Sequence, residues 1–197
     1  GNTVHSCGGR GIYLNSANVV SPTVTGNLVM NNGQSGGGVT AGIQVNAAIN
    51  ATVTGNTVLD TQGSPTQGAI GGIVIQNAVD ALVVGNALKG NISDIIDYQA
   101  TTTCRVGWNK GHVTENAGTA TVANGTTTIA VTHGISYPNV ALNLRDIKVT
   151  PTNNLGNATK FWITNPTTTQ FTITVDADPG ATTATFAWAV HRLTTAA

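Results

Sequence analysis

Hydrophobic positions in the first half of the chain recur in a fixed frame. Thr23-Val24-Thr25-Gly26-Asn27-Leu28-Val29 aligns with Thr52-Val53-Thr54-Gly55-Asn56-Thr57-Val58 and with Leu82-Val83-Val84-Gly85-Asn86-Ala87-Leu88. The frame extends back to Gly1-Asn2-Thr3-Val4 and forward to Val106-Gly107-Trp108-Asn109, where Trp108 replaces the glycine. A second motif falls between these copies: Gly11-Ile12-Tyr13-Leu14, Gly42-Ile43-Gln44-Val45 and Gly72-Ile73-Val74-Ile75. Two strand motifs repeating in one order predict a coil of short strands, with about four rungs stacked on a continuous core. Val24, Val53, Val83 and Val106 form one inward column, and Val29, Val58 and Leu88 the next. Ile12, Ile43 and Ile73, with Leu14, Val45 and Ile75, line another wall. The Gly-Asn pair marks a bend, and asparagine tolerates the left-handed conformation better than most residues. Stacked Asn27, Asn56, Asn86 and Asn109 are expected to form a turn ladder, hydrogen-bonding from rung to rung.

The two central rungs are longer than their neighbours. The extra residues fall in one place, at Asn31-Asn32-Gly33-Gln34-Ser35-Gly36-Gly37-Gly38 and Thr61-Gln62-Gly63-Ser64-Pro65-Thr66-Gln67-Gly68. Insertions in a solenoid tend to project on one face, which makes Gln34, Gln62 and Gln67 candidate contact residues, although loop tolerance alone also accounts for them.

After Asn109 the repeat ends and strict alternation begins. Phe171, Ile173 and Val175 alternate with Thr172 and Thr174, and Phe186, Trp188 and Val190 with Ala187 and Ala189. Ile129-Val131, Ile147-Val149 and Phe161-Ile163 behave likewise, with turn signals at Asn124-Gly125, Pro151-Thr152-Asn153-Asn154, Asn165-Pro166 and Asp178-Pro179-Gly180. This predicts a small antiparallel sandwich with one buried face per strand. The expected organisation is a β-helix over residues 1–110, a linker over 111–117 and a sandwich over 118–197. The all-β expectation agrees with a composition rich in Gly, Asn and Thr.

Formal net charge is zero and only 8% of the 197 residues are charged, which excludes a basic nucleic-acid footprint. No segment has the length and apolarity of a membrane span, so no membrane insertion is expected. The first residues already lie inside the repeat, so the sequence reads as a distal fragment. Rungs lie about 4.8 Å apart. Cys7 and Cys104 therefore fall on the order of 19 Å apart, beyond the ~7 Å a disulfide spans, and two free thiols are expected.

Two resemblances cover nearly the whole chain. Gly125-Thr126-Thr127, Val131-Thr132-His133-Gly134, Val149-Thr150-Pro151, Phe161-Trp162-Ile163-Thr164, Thr169-Gln170-Phe171-Thr172-Ile173 and Thr185-Phe186-Ala187-Trp188 resemble a C-terminal β-domain of phage tail proteins and related bacterial β-helix proteins. The first half resembles the pectate-lyase-like right-handed parallel β-helix of bacteriophage tailspikes. The resemblance implies an extracellular virion spike that is homotrimeric, binds bacterial surface polysaccharide as a receptor and often cleaves it. The alternatives are a depolymerase, hydrolase or lyase, with its active site on the β-helix or upstream, and a secreted bacterial β-helix enzyme or adhesin.

Candidate chemistry is sparse. Glycoside hydrolysis needs two carboxylates about 5 to 9.5 Å apart. The β-helix half offers Asp60, Asp80, Asp94 and Asp97 and no glutamate. Asp94 and Asp97 share one short segment and could edge a groove, Asp60 could face a neighbouring subunit, and ordinary surface positions explain all three. Lys89 and Arg105 are the cations a lyase could use, but each is isolated. The histidines lack metal-ligand spacing, and no metal or cofactor is expected. In strand register Trp162 faces opposite Phe161 and Ile163. It and Tyr13 are candidates for sugar stacking or a subunit interface.

Overall fold

The computed structural model describes residues 1–33, 41–61, 71–91, 95–97, 104–135 and 141–191, with the side chains of 96 and 97 outside the description. The chain divides into two compact units, the first ending at His112 and the second beginning at Val113.

The first unit is a three-walled parallel β-helix. Its first rung comprises β1 (Thr3–His5), β2 (Ile12–Asn15) and β3 (Thr23–Thr25). The second has β4 (Leu28–Met30), β5 (Ala41–Asn46) and β6 (Thr52–Thr54), and the third β7 (Thr57–Leu59), β8 (Gly71–Gln76) and β9 (Leu82–Val84). The last has β10 (Ala87–Lys89), β11 (Ile95–Asp97) and β12 (Arg105–Gly107). Every third strand pairs in parallel, giving three four-stranded sheets ordered β1-β4-β7-β10, β2-β5-β8-β11 and β3-β6-β9-β12.

Register puts like on like. Val4, Val29, Val58 and Leu88 stack along the first wall, and Ile12, Ile43, Ile73 and Ile95 along the second. Val24, Val53, Val83 and Val106 stack along the third. Most of these side chains are fully buried in one cluster, the first-rung residues less so because they sit at the end of the stack. Small residues close the corners, with Ala48 over Ala78 and Cys104 continuing the Ala51–Ala81 column. Cys7 and Cys104 are both thiols rather than disulfide partners, and Cys104 Sγ–H donates to the Ala78 carbonyl at 3.4 Å.

The bend before each asparagine is made differently from the expectation. Gly26, Gly55 and Gly85 take the left-handed conformation, at φ 67°, 64° and 66°, and Trp108 takes it at φ 50°. The glycine supplies the turn without a Cβ penalty, which frees the asparagine to bury its side chain. Asn27, Asn56, Asn86 and Asn109 are all buried. In each step the backbone N–H and Nδ2 of one asparagine donate to Oδ1 of the next. The bonds measure 3.0 and 3.1 Å from Asn2 to Asn27, 3.0 and 2.9 Å from Asn27 to Asn56 and again from Asn56 to Asn86, and 3.0 and 2.8 Å from Asn86 to Asn109. Nδ2 of Asn56, Asn86 and Asn109 also donates to the carbonyl of Val24, Val53 and Val83 respectively.

The second unit is a sandwich of two antiparallel sheets. Its strands are β13 (Glu115–Val122), β14 (Thr128–Thr132), β15 (Ile147–Pro151), β16 (Phe161–Thr164), β17 (Gln170–Val175) and β18 (Ala184–His191). The sheets are ordered β13-β18-β15 and β14-β17-β16. β13 starts at Glu115, so residues 115–117 of the expected linker are strand. Sequence patterning missed it because its inward residues are Gly118, Ala120 and Val122. Small residues are needed there: a Cβ on Gly118 would lie 2.8 Å from Cζ2 of Trp188. Aromatic pairs join the sheets, Phe161 with Phe186 at 5.2 Å and Phe171 edge-on to Trp188 at 5.8 Å. His133 is buried in this unit and accepts at Nδ1 from the Ile135 N–H at 3.1 Å.

Candidate functional site

A polar network on the outer face of the β2-β5-β8-β11 sheet stands out among the described residues. Alternation along β2 and β5 points Ile12, Leu14, Ile43 and Val45 inward, so Tyr13, Asn15, Gln44 and Asn46 project outward. Tyr13 pairs with Gln44 and Asn15 with Asn46 across the two strands. Arg10, just before β2, lays its guanidinium over the Tyr13 ring at 4.3 Å from the centroid. Its Nε–H donates to Oε1 of Gln44. Gln44 is only 1% exposed and donates from Nε2 to Oε1 of Gln76 at 3.0 Å. A second row of amides runs alongside. Asn46 Nδ2 donates to Asn15 Oδ1 at 2.6 Å and to the Tyr13 hydroxyl at 3.4 Å, and Asn77 Nδ2 reaches Asn46 Oδ1 at 3.5 Å. Parallel stacking causes this arrangement: Asn15 and Asn46 occupy equal positions on successive rungs, while Gln44 reaches diagonally past Val74 to Gln76.

The sandwich carries a second surface. Trp162 is 44% exposed on β16 and stands opposite Thr174, which stands opposite Thr128 on β14. Thr164 and Thr172 pair beside it, and the hydroxyls of Thr164 and Thr174 approach to 3.5 Å. The outer face is thus one indole set among threonines. At the end of β13, Glu115 pairs across strands with His191, Oε2 to Nδ1 at 3.2 Å.

The sequence-derived candidates fall as follows. Tyr13 belongs to the amide network and Trp162 to the threonine face. Asn27, Asn56, Asn86 and Asn109 form the interior ladder. Asp60 follows β7 on the first wall, half-buried, with its N–H donating to the Lys89 carbonyl at 2.9 Å. Asp97 pairs with Ile75 in β11 on the second wall, so the backbone does not bring these two aspartates onto one sheet. Asp94, Gln34, Gln62 and Gln67 lie outside the described residues. Arg10, Gln44, Gln76, Asn15 and Asn46 escaped the sequence reading. The signal present was the outward position of Gln44 in the Gly-Ile motif, opposite Tyr13; nothing in the sequence marked Arg10 as its partner.

His112 and Asp176 titrate away from their ordinary values, both outside these surfaces. Burial pushes the His112 imidazole down to about 4. The Thr159 hydroxyl and the Lys160 and Thr159 backbone N–H groups hold the exposed Asp176 carboxyl down to about 2. Among the described residues, no group of three or more His, Cys, Asp or Glu side chains is placed to hold a metal, and no helix is long and apolar enough to cross a membrane.

No protein-family model and no curated protein matches the chain. Among solved structures it is similar to the tailspike protein gp49 from Pseudomonas phage LKA1, with a TM-score of 0.40 and 12% sequence identity. The likeness covers 95% of this chain and 40% of that one, so the chain spans well under half of the phage protein's length.

Proposed function

We propose that the chain is a tailspike-like receptor-binding module that contacts bacterial surface polysaccharide on the outside of a virion. The observation that carries this reading is the amide and phenol face formed by Tyr13, Asn15 and Asn46, with the buried Gln44 bracing it from beneath. Sugars present alternating C–H faces and hydroxyls, which suit an aromatic ring beside fixed amides. The rung stack holds those amides at set positions, so little side-chain entropy is lost on binding. The Trp162 and threonine face offers the same chemistry on the sandwich.

The test is binding of the labelled full chain to a panel of bacterial strains and their polysaccharide-deficient mutants. Retention on the parent strains, lost after periodate oxidation of the surface, is the expected result. Equal retention on polysaccharide-deficient cells would sink the reading. Release of reducing ends or unsaturated products in the same incubation would convert the binding module into a depolymerase.

A further inference from the structure

We infer that Arg10 and Tyr13 form a subsite for the carboxylate of an acidic sugar, an inference that rests on the glycan-binding reading and deepens it. Arg10 is a half-buried cation whose contacts among the described residues are the Gln44 amide and the Tyr13 ring, with no carboxylate among them. An ordinary surface arginine is free to swing in water. Arg10 is held from two directions: its guanidinium carbon lies over the Tyr13 ring and its Nε–H is taken by Gln44. The cation–π contact and the hydrogen bond together fix both the position and the roll of the guanidinium.

Gln44 cannot easily turn away. It is buried, and its Nε2 is committed to Gln76, which leaves Oε1 as the atom presented to Arg10. Gln44 is therefore a positioning residue. With Nε engaged, the two terminal nitrogens of Arg10 remain as donors, the pair that grips a carboxylate through two parallel hydrogen bonds. The Tyr13 oxygen receives Asn46 Nδ2, which leaves its own proton to donate. Among the described residues the rest of the face carries no charge: Asn15, Gln44, Asn46, Gln76 and Asn77 supply amides, and the buried Val74 lies beside Gln44. One fixed cation, one phenol donor and a row of neutral amides fit a ligand with a single carboxylate and several hydroxyls. A hexuronate residue within a polysaccharide has that chemistry; a polyanion with closely spaced charges does not.

The experiment uses the full chain labelled with nitrogen-15, following the arginine Nε–H resonances, with Arg10 assigned through Arg10→Lys. Sodium glucuronate, glucose and sodium acetate are titrated at constant ionic strength. Glucuronate is expected to shift the Arg10 signal saturably, acetate about tenfold more weakly, and glucose not at all. Tyr13→Phe keeps the ring under the guanidinium but removes the donor, and should weaken glucuronate binding several-fold with the other arginine signals unmoved. No saturable shift with glucuronate overturns the inference, as does a shift that acetate or glucose matches. The bacterial-cell assay separates this from the broader reading. If Arg10→Gln binds cells as well as the parent does, the carboxylate subsite falls and glycan recognition stands. If neither protein binds any cell, recognition itself falls.

Discussion

Asn56 shows how a polar residue can be part of a core. Its Oδ1 accepts two hydrogen bonds from Asn27, and its Nδ2 donates to Asn86 and to the Val24 carbonyl, all buried, and to the part-buried Thr54 carbonyl. Asn56→Ala strands the buried Asn27 N–H and takes a donor from the Val24 carbonyl, while the Thr54 carbonyl keeps the Gly26 N–H and the Thr25 hydroxyl. Each buried unsatisfied group costs about 1–3 kcal/mol, so the variant should lose roughly 2–4 kcal/mol in urea unfolding. Asn2→Ala, at the exposed end of the same ladder, should lose under about 1 kcal/mol. Equal losses at both positions would mean that burial does not set the ladder's contribution. His112 provides a pH test. Its folded value of about 4 lies below the ordinary 6.5, so above pH 6.5 both states are neutral and the full stability is present. As pH falls from 6.5 to 4, the unfolded chain takes up the proton and the folded chain does not, so stability is lost progressively. Between pH 7 and 4.5 the parent should lose roughly 2 kcal/mol that His112→Gln does not lose. Parallel pH profiles for the two proteins would contradict the burial argument.

At the scale of the strand and its turn, Trp108 is the anomaly of the repeat. It occupies the left-handed position that glycine holds in the three preceding copies, yet its side chain is 70% exposed. A non-glycine residue pays about 1–2 kcal/mol in that conformation, and asparagine suffers least. Trp108→Asn should raise the urea midpoint by an amount worth about 0.5–1 kcal/mol, because little packing is lost. A lower midpoint would show that the indole makes contacts worth more than the strain. The walls of the helix were legible in the sequence because Val24, Val53 and Val83 repeat both identity and spacing. β13 was not, because its partner Trp188 requires small residues, and Gly118 and Ala120 look like loop. The candidate site was half legible. Tyr13 and Gln44 share a column that strand alternation predicts, whereas the Arg10 contact depends on how the chain enters β2, which no periodicity encodes.

At the scale of the molecule, each unit encloses its own core. The hydrophobic cluster of the β-helix runs from Val24 to Val106 and that of the sandwich from Val122 to Val190, with no residue in common. What neither core covers is the apolar surface left on the β-helix exterior. Val20 and Val79 are exposed and sit on one corner, bridged through Ile49, while Leu82 is exposed on the β9 face. Surface of this kind, on a chain with so few charges to keep copies apart, favours self-association. We propose that this surface assembles the chain into a homotrimer, which would carry three copies of each surface proposed to face sugar. Three linked weak sites can raise avidity by about 10²–10⁴ over one, provided the glycan reaches more than one of them. Light scattering on the full chain should therefore report three times the 20.0 kDa of one chain. Val20→Glu with Val79→Glu places like charges along the corner ridge. If that corner lies in the interface, the double variant should sediment as a folded monomer and hold bacterial cells far more weakly than the parent, while its glucuronate titration at Arg10 is unchanged. A parent that is monomeric at micromolar concentration would remove the avidity argument and leave single-site recognition to account for any binding.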